Sequence, residues 1–275
     1  MTAPLLDLAL ARRIELAEAH AAVNCAKAAE QLAPGPAAVE PIAGGFAIYC
    51  GANSPVTQAV GLGLDGAVSD EDFHRLQEFY RSRNETVRVE TCPLADASLI
   101  RHFGEHHYRV TEFTNVMALP LNGSGPSHRA AEDRPRGVTI QRIGEGEIDL
   151  WTLTVSQGFS EHFPATQEML GIMRMFALPS NVECYLARVD GAVAGGATLA
   201  LREGVAGLFG ASTLPAFRNR GIQTALLRVR LARAAAENCD LAVCLAQPGS
   251  TSQRNILRHG FSALYTRVKF ERAWS

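Results

Sequence analysis

The sequence lacks the features that would place it in a membrane or outside the cell. None of its uncharged apolar runs reaches the about 20 residues that a membrane-spanning helix needs. The N-terminal stretch has no basic region before its short apolar segment, so we expect no secretory signal. The 26 basic and 28 acidic residues give a net charge of −2, which supplies no electrostatic reason for binding nucleic acid or an anionic membrane. We therefore expect a cytoplasmic protein with neither kind of partner.

The sequence also lacks a cysteine pattern typical of metal or disulfide sites. It has no pair of cysteines separated by two residues, and no histidine lies at zinc-finger spacing from a cysteine. Most of the cysteines lie inside apolar runs, where a free thiol behaves as a small hydrophobic side chain. We predict reduced thiols in the core and no metal site. The six residues are Cys25, Cys50, Cys92, Cys184, Cys239 and Cys244.

One long stretch has no apolar period and separates the chain into two parts. Residues 121–137 hold three glycines, two prolines and mixed charges, a composition typical of a linker. A chain of 275 residues is long for one compact domain. We predict an N-terminal domain over residues 1–120, a linker over 121–136 and a C-terminal domain over 137–275.

The C-terminal part predicts ten elements in the order βααβββαβαβ. Asp190 and Gly191 lie between two alternating apolar runs, which indicates a hairpin because a type I′ turn needs positive φ at both positions. A third strand of this group runs from Val205 to Leu214, and a helix follows from about Gln223. This order predicts a mixed sheet with helices on its faces, an α/β fold of the α+β kind.

The later elements of the N-terminal part repeat those that end the chain. A long helix over about residues 5–31 comes first; after it the pattern predicts a helix, a strand, a helix and a strand. Pro93 and Pro248 are 155 residues apart, and Tyr108 and Phe261 are 153 residues apart. Two spacings that agree this closely, with the same elements between them, predict a duplicated domain.

The segment 214–223 combines features that suit an anion. A strand ends just before Pro215, which cannot extend a β-ladder. Arg218 and Arg220 supply two cations, and Gly221 lets the backbone approach a ligand closely. A helix follows, so the positive end of its dipole and its unpaired N–H groups converge on the same place. Solvated arginines in an ordinary turn would also fit these residues, but together they predict a pyrophosphate site.

The same segment resembles the signature of the GCN5-related N-acetyltransferase (GNAT) superfamily. That signature is Arg/Gln-x-x-Gly-x-Gly/Ala after an apolar residue and a proline; residues 218–222 match it, and residues 214–217 match the lead-in. The element order of the C-terminal part agrees with this family as well. One departure is Gln223, which stands where the family has Gly or Ala. Its side chain would crowd the pyrophosphate or donate a hydrogen bond to it.

The resemblance implies the acyl-CoA N-acyltransferase fold in tandem, with acetyl-CoA as co-substrate. In that family the pantetheine arm pairs with the strand before the turn, and this strand separates from its neighbour. Gly207 and Gly210 would ease such a distortion. The cofactor-binding residues implied by the resemblance are Ser212, Thr213, Leu214, Arg218, Asn219, Arg220, Gly221, Ile222, Gln223, Thr224 and Asn255.

The N-terminal part carries a turn at the equivalent place with the opposite charge. Residues 61–66 fit the pattern G-x-G-x-x-G between an apolar run and a helix. Asp65 lies inside this turn, and three carboxylates follow at positions 70–72. Because these carboxylates stabilise the helix dipole themselves and repel a pyrophosphate, we predict a degenerate copy that has lost the cofactor.

The residues leave the catalytic groups unassigned. A tyrosine that acts as the acid in many family members corresponds to Ile256 here, and Ser252 and Tyr265 are the alternatives that the sequence offers. Glu161 and His162 lie between the first two helices of the C-terminal part, where this fold receives its acceptor. Either could relay a proton, but the reading that we favour for both is a solvated loop.

The resemblance implies direct acetyl transfer from acetyl-CoA to the amine of a small molecule or a protein. A non-catalytic acetyl-CoA or acyl-CoA sensor is the alternative, because the usual acid is absent. A purely structural interaction domain is a third reading, and the paired arginines at a helix N-terminus argue against it. The acceptor and the oligomeric state stay open, a homodimer included.

Overall fold

The computed structural model describes residues 4–32, 37–52, 54–121, 135–160 and 165–274. Contacts divide the chain into two compact units. Unit 1 consists of Met1–Leu119 together with Leu245–Ser275, and unit 2 consists of Pro120–Cys244. The first division falls at the start of the predicted linker, whereas the last part of the chain groups with unit 1.

The described residues form the predicted helices and strands in the predicted order, together with three short strands between the first two helices that the sequence analysis did not predict. The helices are α1 (Leu8–Leu32), α2 (Asp70–Arg81), α3 (Ala97–Glu105), α4 (Ile148–Phe159), α5 (Gln167–Ala177), α6 (Ile222–Ala236) and α7 (Thr251–Arg258). The strands are β1 (Ala38–Ile42), β2 (Gly45–Tyr49), β3 (Ala59–Val60), β4 (Val87–Thr91), β5 (Arg109–Pro120), β6 (Val138–Arg142), β7 (Val182–Val189), β8 (Ala192–Arg202), β9 (Val205–Thr213), β10 (Leu241–Ala246) and β11 (Ser262–Arg272). None of the helices within the described ranges has the length and hydropathy that crossing a bilayer would require.

Unit 1 contains a mixed sheet in the strand order β1-β2-β3-β4-β11-β5. The strands pair antiparallel except β3 and β4, which are parallel. The core between the sheet and its helices includes the fully buried Phe73 and Leu76 of α2 and Phe103 of α3. The β1–β2 hairpin is an element that the sequence did not indicate. Its turn holds Ala43 at φ 47° and Gly44 at φ 82°, and alanine gives no signal for a left-handed turn residue.

Strand β11 lies near the end of the chain and completes the sheet of unit 1. Val268 of β11 is paired with Thr91 of β4 on one side and with Phe113 of β5 on the other. Because these pairings hold β11 between two strands from the N-terminal part, residues from Leu245 onward belong to unit 1. A strand partner of this kind depends on contacts far apart in sequence, which local patterns do not encode.

The elements of the two parts repeat at a nearly constant offset. From Val87 to Leu241, and from Ala97 to Thr251, the starts of equivalent elements are 154 residues apart. The parallel pairing of β3 with β4 also has a counterpart in the parallel pairing of β9 with β10. This repetition of order, spacing and strand direction supports the predicted duplication.

Unit 2 contains a sheet in the strand order β10-β9-β8-β7-β6, against which α4 and α6 pack. The element order βααβββαβαβ predicted for the C-terminal part of the chain is confirmed, although its last two elements, α7 and β11, group with unit 1. Asp190 at φ 49° and Gly191 at φ 86° form the predicted turn between β7 and β8. The fully buried Trp151 of α4 is the largest side chain of this core.

All six cysteines are free thiols in buried positions, as predicted. Burial raises the pKa of the Cys92 thiol to about 11 and that of Cys244 to about 12. These thiols therefore stay protonated at neutral pH and act as packing residues.

Candidate cofactor-binding site

Strand β9 carries a bulge shortly before it ends. Thr198 is paired with Phe209 and Gly196 with Ser212, so one residue of β8 lies opposite two residues of β9. Gly210 has φ +58°, and a Cβ there would approach Thr198 Oγ1 to 2.6 Å. Only glycine fits this position without a shift, as in bulges whose first residue is left-handed. The predicted distortion at Gly210 is confirmed, whereas Gly207 keeps regular pairing on both sides.

Strands β9 and β10 separate before the bulge. In the part of the chain that the structure describes, their parallel pairing extends only from Val205 with Leu241 to Gly207 with Val243. Strand β9 nevertheless continues to Thr213. Beyond Gly207, the backbone N–H and C=O groups on this edge of β9 pair with no strand of the described ranges, and an extended ligand could pair with them.

The turn after β9 is tighter than the sequence indicated. The strand ends at Thr213 rather than Leu214, because Pro215 begins a short 3-10 turn over Pro215–Phe217. Asn219 follows at φ 62°, and Gly221 at φ 74° and ψ 8°. Helix α6 then begins at Ile222, one residue earlier than predicted. Two left-handed residues within three positions turn the chain sharply into the helix.

The N-terminus of α6 is open, in the sense that no described side chain caps it, whereas the N-terminus of α2, the equivalent helix in unit 1, is capped. Gly221 occupies the N-cap of α6, where no side chain among the described residues accepts a hydrogen bond from the first turn. In α2, Ser69 accepts from the Asp72 N–H, and three carboxylates lie in the first turn. The backbone donors of α6 are therefore available to an anion, while the dipole of α2 is already compensated.

The two arginines of the turn have different surroundings. Arg218 donates to the carbonyl oxygens of Thr213 at 3.4 Å and Gly158 at 3.2 Å, which fastens the turn to β9 and α4. The guanidinium of Arg220 lies 5.5 Å from the ring centre of Phe217 on an exposed surface. Arg220 is thus the cation better placed to meet a phosphate group, and Arg218 holds the turn in shape.

Gln223 does not crowd the space in front of the helix as the resemblance suggested. Its Nε2 donates to Thr213 Oγ1 at 2.8 Å, so the amide joins the first turn of α6 to the end of β9. Ser212 is also held, because its Oγ donates to Val155 O at 2.9 Å. The side chains of Ser212 and Thr213 are buried, which leaves their backbone as the surface that a ligand could meet.

The remaining candidates occupy several environments. The side chain of Ile222 is 2% exposed and belongs to the core, so only its backbone could contact a ligand. Thr224 is partly buried in the first turn of α6, and Leu214 is partly buried at the strand end. Asn255 lies on α7 in unit 1 and accepts a hydrogen bond from Arg258 at 3.2 Å.

The structure argues against one of the alternative acids. Tyr265 is 7% exposed, and its hydroxyl donates to Glu15 Oε1 at 2.7 Å in the interior of unit 1. Burial and the neighbouring Glu15 carboxylate raise the pKa of Tyr265 well above its ordinary value. Ser252 is exposed on α7, and Glu161 and His162 lie outside the described residues.

The buried groups that shape the bulge were missed at the level of sequence. Arg230 is 3% exposed, although it lies on a helix that carries three arginines. No signal in a single sequence separates this buried arginine from Arg228 and Arg233 of the same helix, which are only partly buried. Among the described residues, no group of three or more His, Cys, Asp or Glu side chains could hold a metal ion.

A mixed sheet whose parallel strands part beside a glycine turn and an open helix N-terminus defines the acyl-CoA N-acyltransferase class of fold. Residues 149–261 match the model of the acetyltransferase (GNAT) family. This part of the chain, from α4 to α7, therefore matches the GNAT family, and the resemblance noted in the sequence is confirmed.

Solved structures extend the likeness in fold to nearly the whole chain. A GCN5-related N-acetyltransferase from Kribbella flavida has a TM-score of 0.66 at 15% identity, over 94% of this chain and 96% of that one. A tandem GNAT protein from the clavulanic acid biosynthesis pathway has a TM-score of 0.58 at 16% identity, over 74% and 68%. A GCN5-related N-acetyltransferase from Sphaerobacter thermophilus reaches 0.56 at 18% identity, over 74% and 66%. No curated protein sequence matches the chain.

Proposed function

We propose that this protein transfers an acetyl group from acetyl-CoA to an amine of a small molecule or a protein. The observation that carries the proposal is the junction of β9 with α6. Gly221 leaves the helix N-terminus without a side-chain cap, Arg220 adds an exposed cation, and β9 presents an unpaired backbone edge beside them. A pyrophosphate suits the first two features, and an amide-containing pantetheine arm suits the third.

The reaction forms the carbon–nitrogen bond of an amide and breaks the carbon–sulfur bond of the thioester. The neutral amine attacks the thioester carbonyl, the nitrogen loses a proton, and the carbon–sulfur bond breaks to leave the CoA thiolate. An alkyl ammonium with a pKa of about 10.4 must lose its proton before it attacks. The tetrahedral oxyanion needs a donor, for which the backbone N–H groups of β9 beyond the bulge are our candidates. The leaving thiolate, with a pKa of roughly 8.5, departs without an obligatory acid.

A non-catalytic acyl-CoA sensor is the second candidate function. The position of the family's tyrosine is held by Ile256, and the alternative Tyr265 is buried against Glu15. Neither residue can protonate a leaving thiolate. A protein that binds acyl-CoA through α6 and lacks an acid would serve as a sensor.

We also propose a tandem arrangement of a degenerate N-terminal half, residues 1–120, and a cofactor-binding C-terminal half, residues 137–275. The capped and acidic N-terminus of α2 supports the loss of cofactor binding in the first half. Asp65 of the first turn is paired with Arg12, so its carboxylate is a fixed part of that turn. The buried free thiols agree with a cytoplasmic location.

Calorimetric titration with acetyl-CoA, followed by an assay of free thiol, tests both candidates. We expect acetyl-CoA to bind with a Kd in the micromolar range, about −8 kcal/mol. Release of thiol that depends on one amine in a panel would identify an enzyme, and binding without release would identify a sensor. If no heat of binding appears at millimolar acetyl-CoA, both candidates are wrong.

The proposal predicts that Arg220→Ala weakens CoA binding about tenfold. A charge-assisted hydrogen bond to a phosphate oxygen contributes about 1.5 kcal/mol at the lower end of its range. Arg202→Ala is the matched control, because it removes the same charge at the other end of β9, in the turn to β8. We expect the control to bind CoA normally. Added salt should reduce the difference in CoA affinity between Arg220→Ala and the wild-type protein. Equal affinities for the two variants at low salt would show that Arg220 does not meet the cofactor.

A further inference from the structure

Arg230 is a buried cation whose hydrogen bonds in the structure all go to backbone carbonyls. It is 3% exposed on α6. Its Nη1 donates to Thr198 O at 2.9 Å and to Phe209 O at 3.5 Å, and its Nε donates to Leu226 O within the helix at 3.1 Å. Thr198 and Phe209 form the last regular pair between β8 and β9 before the bulge. Arg230 therefore joins both strands at the point where the strand geometry changes.

Among the described residues, no carboxylate pairs with the guanidinium of Arg230. The titratable side chains that act on it are Cys244 and Tyr185, both buried. Burial lowers the pKa of Arg230 to about 10, so the guanidinium keeps its charge at neutral pH. A buried charge is costly unless it is hydrogen-bonded, and a methionine of similar length would fill the same space at a lower desolvation cost. Hydrogen bonds to the backbone carbonyls at the bulge compensate this charge.

The position of Arg230 couples two parts of the candidate site. Helix α6 begins at Ile222, beside the open N-cap. Arg230 lies eight residues further along the same helix, about 12 Å away at 1.5 Å per residue. The helix that offers its N-terminus to an anion is thus fixed, through Arg230, to the bulge that directs the free edge of β9.

We propose that Arg230 is a positioning residue that holds the β9 bulge in register, so that the backbone from Ser212 to Thr213 can pair with the pantetheine arm of CoA. This inference rests on the proposed function and deepens it. Arg230 itself does not contact the ligand. It acts through the strand, so its removal should affect recognition of the pantetheine arm and leave the pyrophosphate turn intact.

Two ligands separate these effects in the full-length protein. CoA carries an adenosine diphosphate moiety and the pantetheine arm, whereas ADP carries the adenosine and the diphosphate without the arm. We expect Arg230→Met to raise the Kd for CoA at least about tenfold, as when a pair of backbone hydrogen bonds is lost, and to change the Kd for ADP less than twofold. Arg230→Lys keeps a donor near the carbonyls and should give an intermediate Kd for CoA.

A second variant perturbs the same bulge by a substitution in β9 itself. Gly210→Ala adds a Cβ that would meet Thr198 Oγ1 at 2.6 Å and strains a residue at φ +58°. It should show the same selective loss of CoA affinity, and it keeps the test decisive if Arg230→Met does not fold. Normal CoA affinity in a folded variant would overturn the proposal, and so would an equal loss for both ligands, which indicates a merely structural role. If the wild-type protein binds neither ligand, the proposed function fails and this inference fails with it.

Discussion

Replacing Gly221 by glutamate should abolish CoA binding, with a loss of affinity of at least about 100-fold. Gly221 has φ 74°, a conformation that costs a non-glycine residue about 1–3 kcal/mol. A Cβ at this position would also come within 2.9 Å of Pro135 Cγ. In addition, the new carboxylate would lie at the open N-terminus of α6 and take the place of the phosphate. We expect the repulsion between this carboxylate and the phosphate, together with the loss of the space that the phosphate would occupy, to exceed the about 2.7 kcal/mol that corresponds to 100-fold.

The matched control for this change is Gly191→Glu. Gly191 also has a positive φ of 86°, in the turn between β7 and β8, and a Cβ there meets nothing within 4 Å. It therefore introduces the same backbone strain and the same charge away from the turn. Titration calorimetry should show normal CoA affinity for the control and no measurable heat for Gly221→Glu. Unchanged affinity in Gly221→Glu would mean that the pyrophosphate does not bind at this turn.

Local patterns predicted the parts of this fold that depend on neighbouring residues. Asp190–Gly191 gave the correct hairpin, because its turn chemistry is contained in two residues. The helices and strands of unit 2 followed their apolar periods. The Ala43–Gly44 turn was missed for the converse reason: unit 1 holds alanine at positive φ through the surrounding sheet, and the residue itself gives no signal.

The parts that could not be predicted depend on long-range contacts. Val268 of β11 pairs with Thr91 of β4, 177 positions away, and with Phe113 of β5, 155 positions away. The same limit applies within the candidate site. The type and spacing of the turn residues predicted an anion site, but only coordinates show that Gln223 donates to Thr213, that Arg218 holds the backbone, and that Arg220 is exposed. Residue types indicate what a site can bind, and packing determines which side chains are free to bind it.

Unit 1 depends on an ion pair in its interior, between helix α1 and strand β11. Glu15 is fully buried and Arg267 is 1% exposed. Arg267 Nε donates to Glu15 Oε1 at 2.7 Å, and Tyr265 donates to the same oxygen at 2.7 Å. Glu18 lies 3.8 Å from the guanidinium and is more exposed. This cluster fastens a helix from the start of the chain to a strand from its end.

We expect Glu15→Leu to lower the free energy of unfolding by about 3–5 kcal/mol. The substitution removes the partner of a buried guanidinium, and an uncompensated buried charge is the most costly outcome for a broken ion pair. The double variant Glu15→Leu/Arg267→Met should be less destabilised than Glu15→Leu alone, because no unpaired charge remains. Urea denaturation with an unchanged m-value would measure both differences.

Glu30→Ala is the control on the same helix, since Glu30 is exposed near the end of α1. A change at such a surface position should stay within about 0.5 kcal/mol. The decisive comparison is between the single and the double variant. If removing Arg267 as well gives no recovery, the cost of Glu15→Leu comes from lost packing or from the hydrogen bond to Tyr265, and not from the buried charge. Recovery in the double variant would show that α1 and β11 are coupled by charge, so that the last strand of the chain contributes directly to the stability of its first helix.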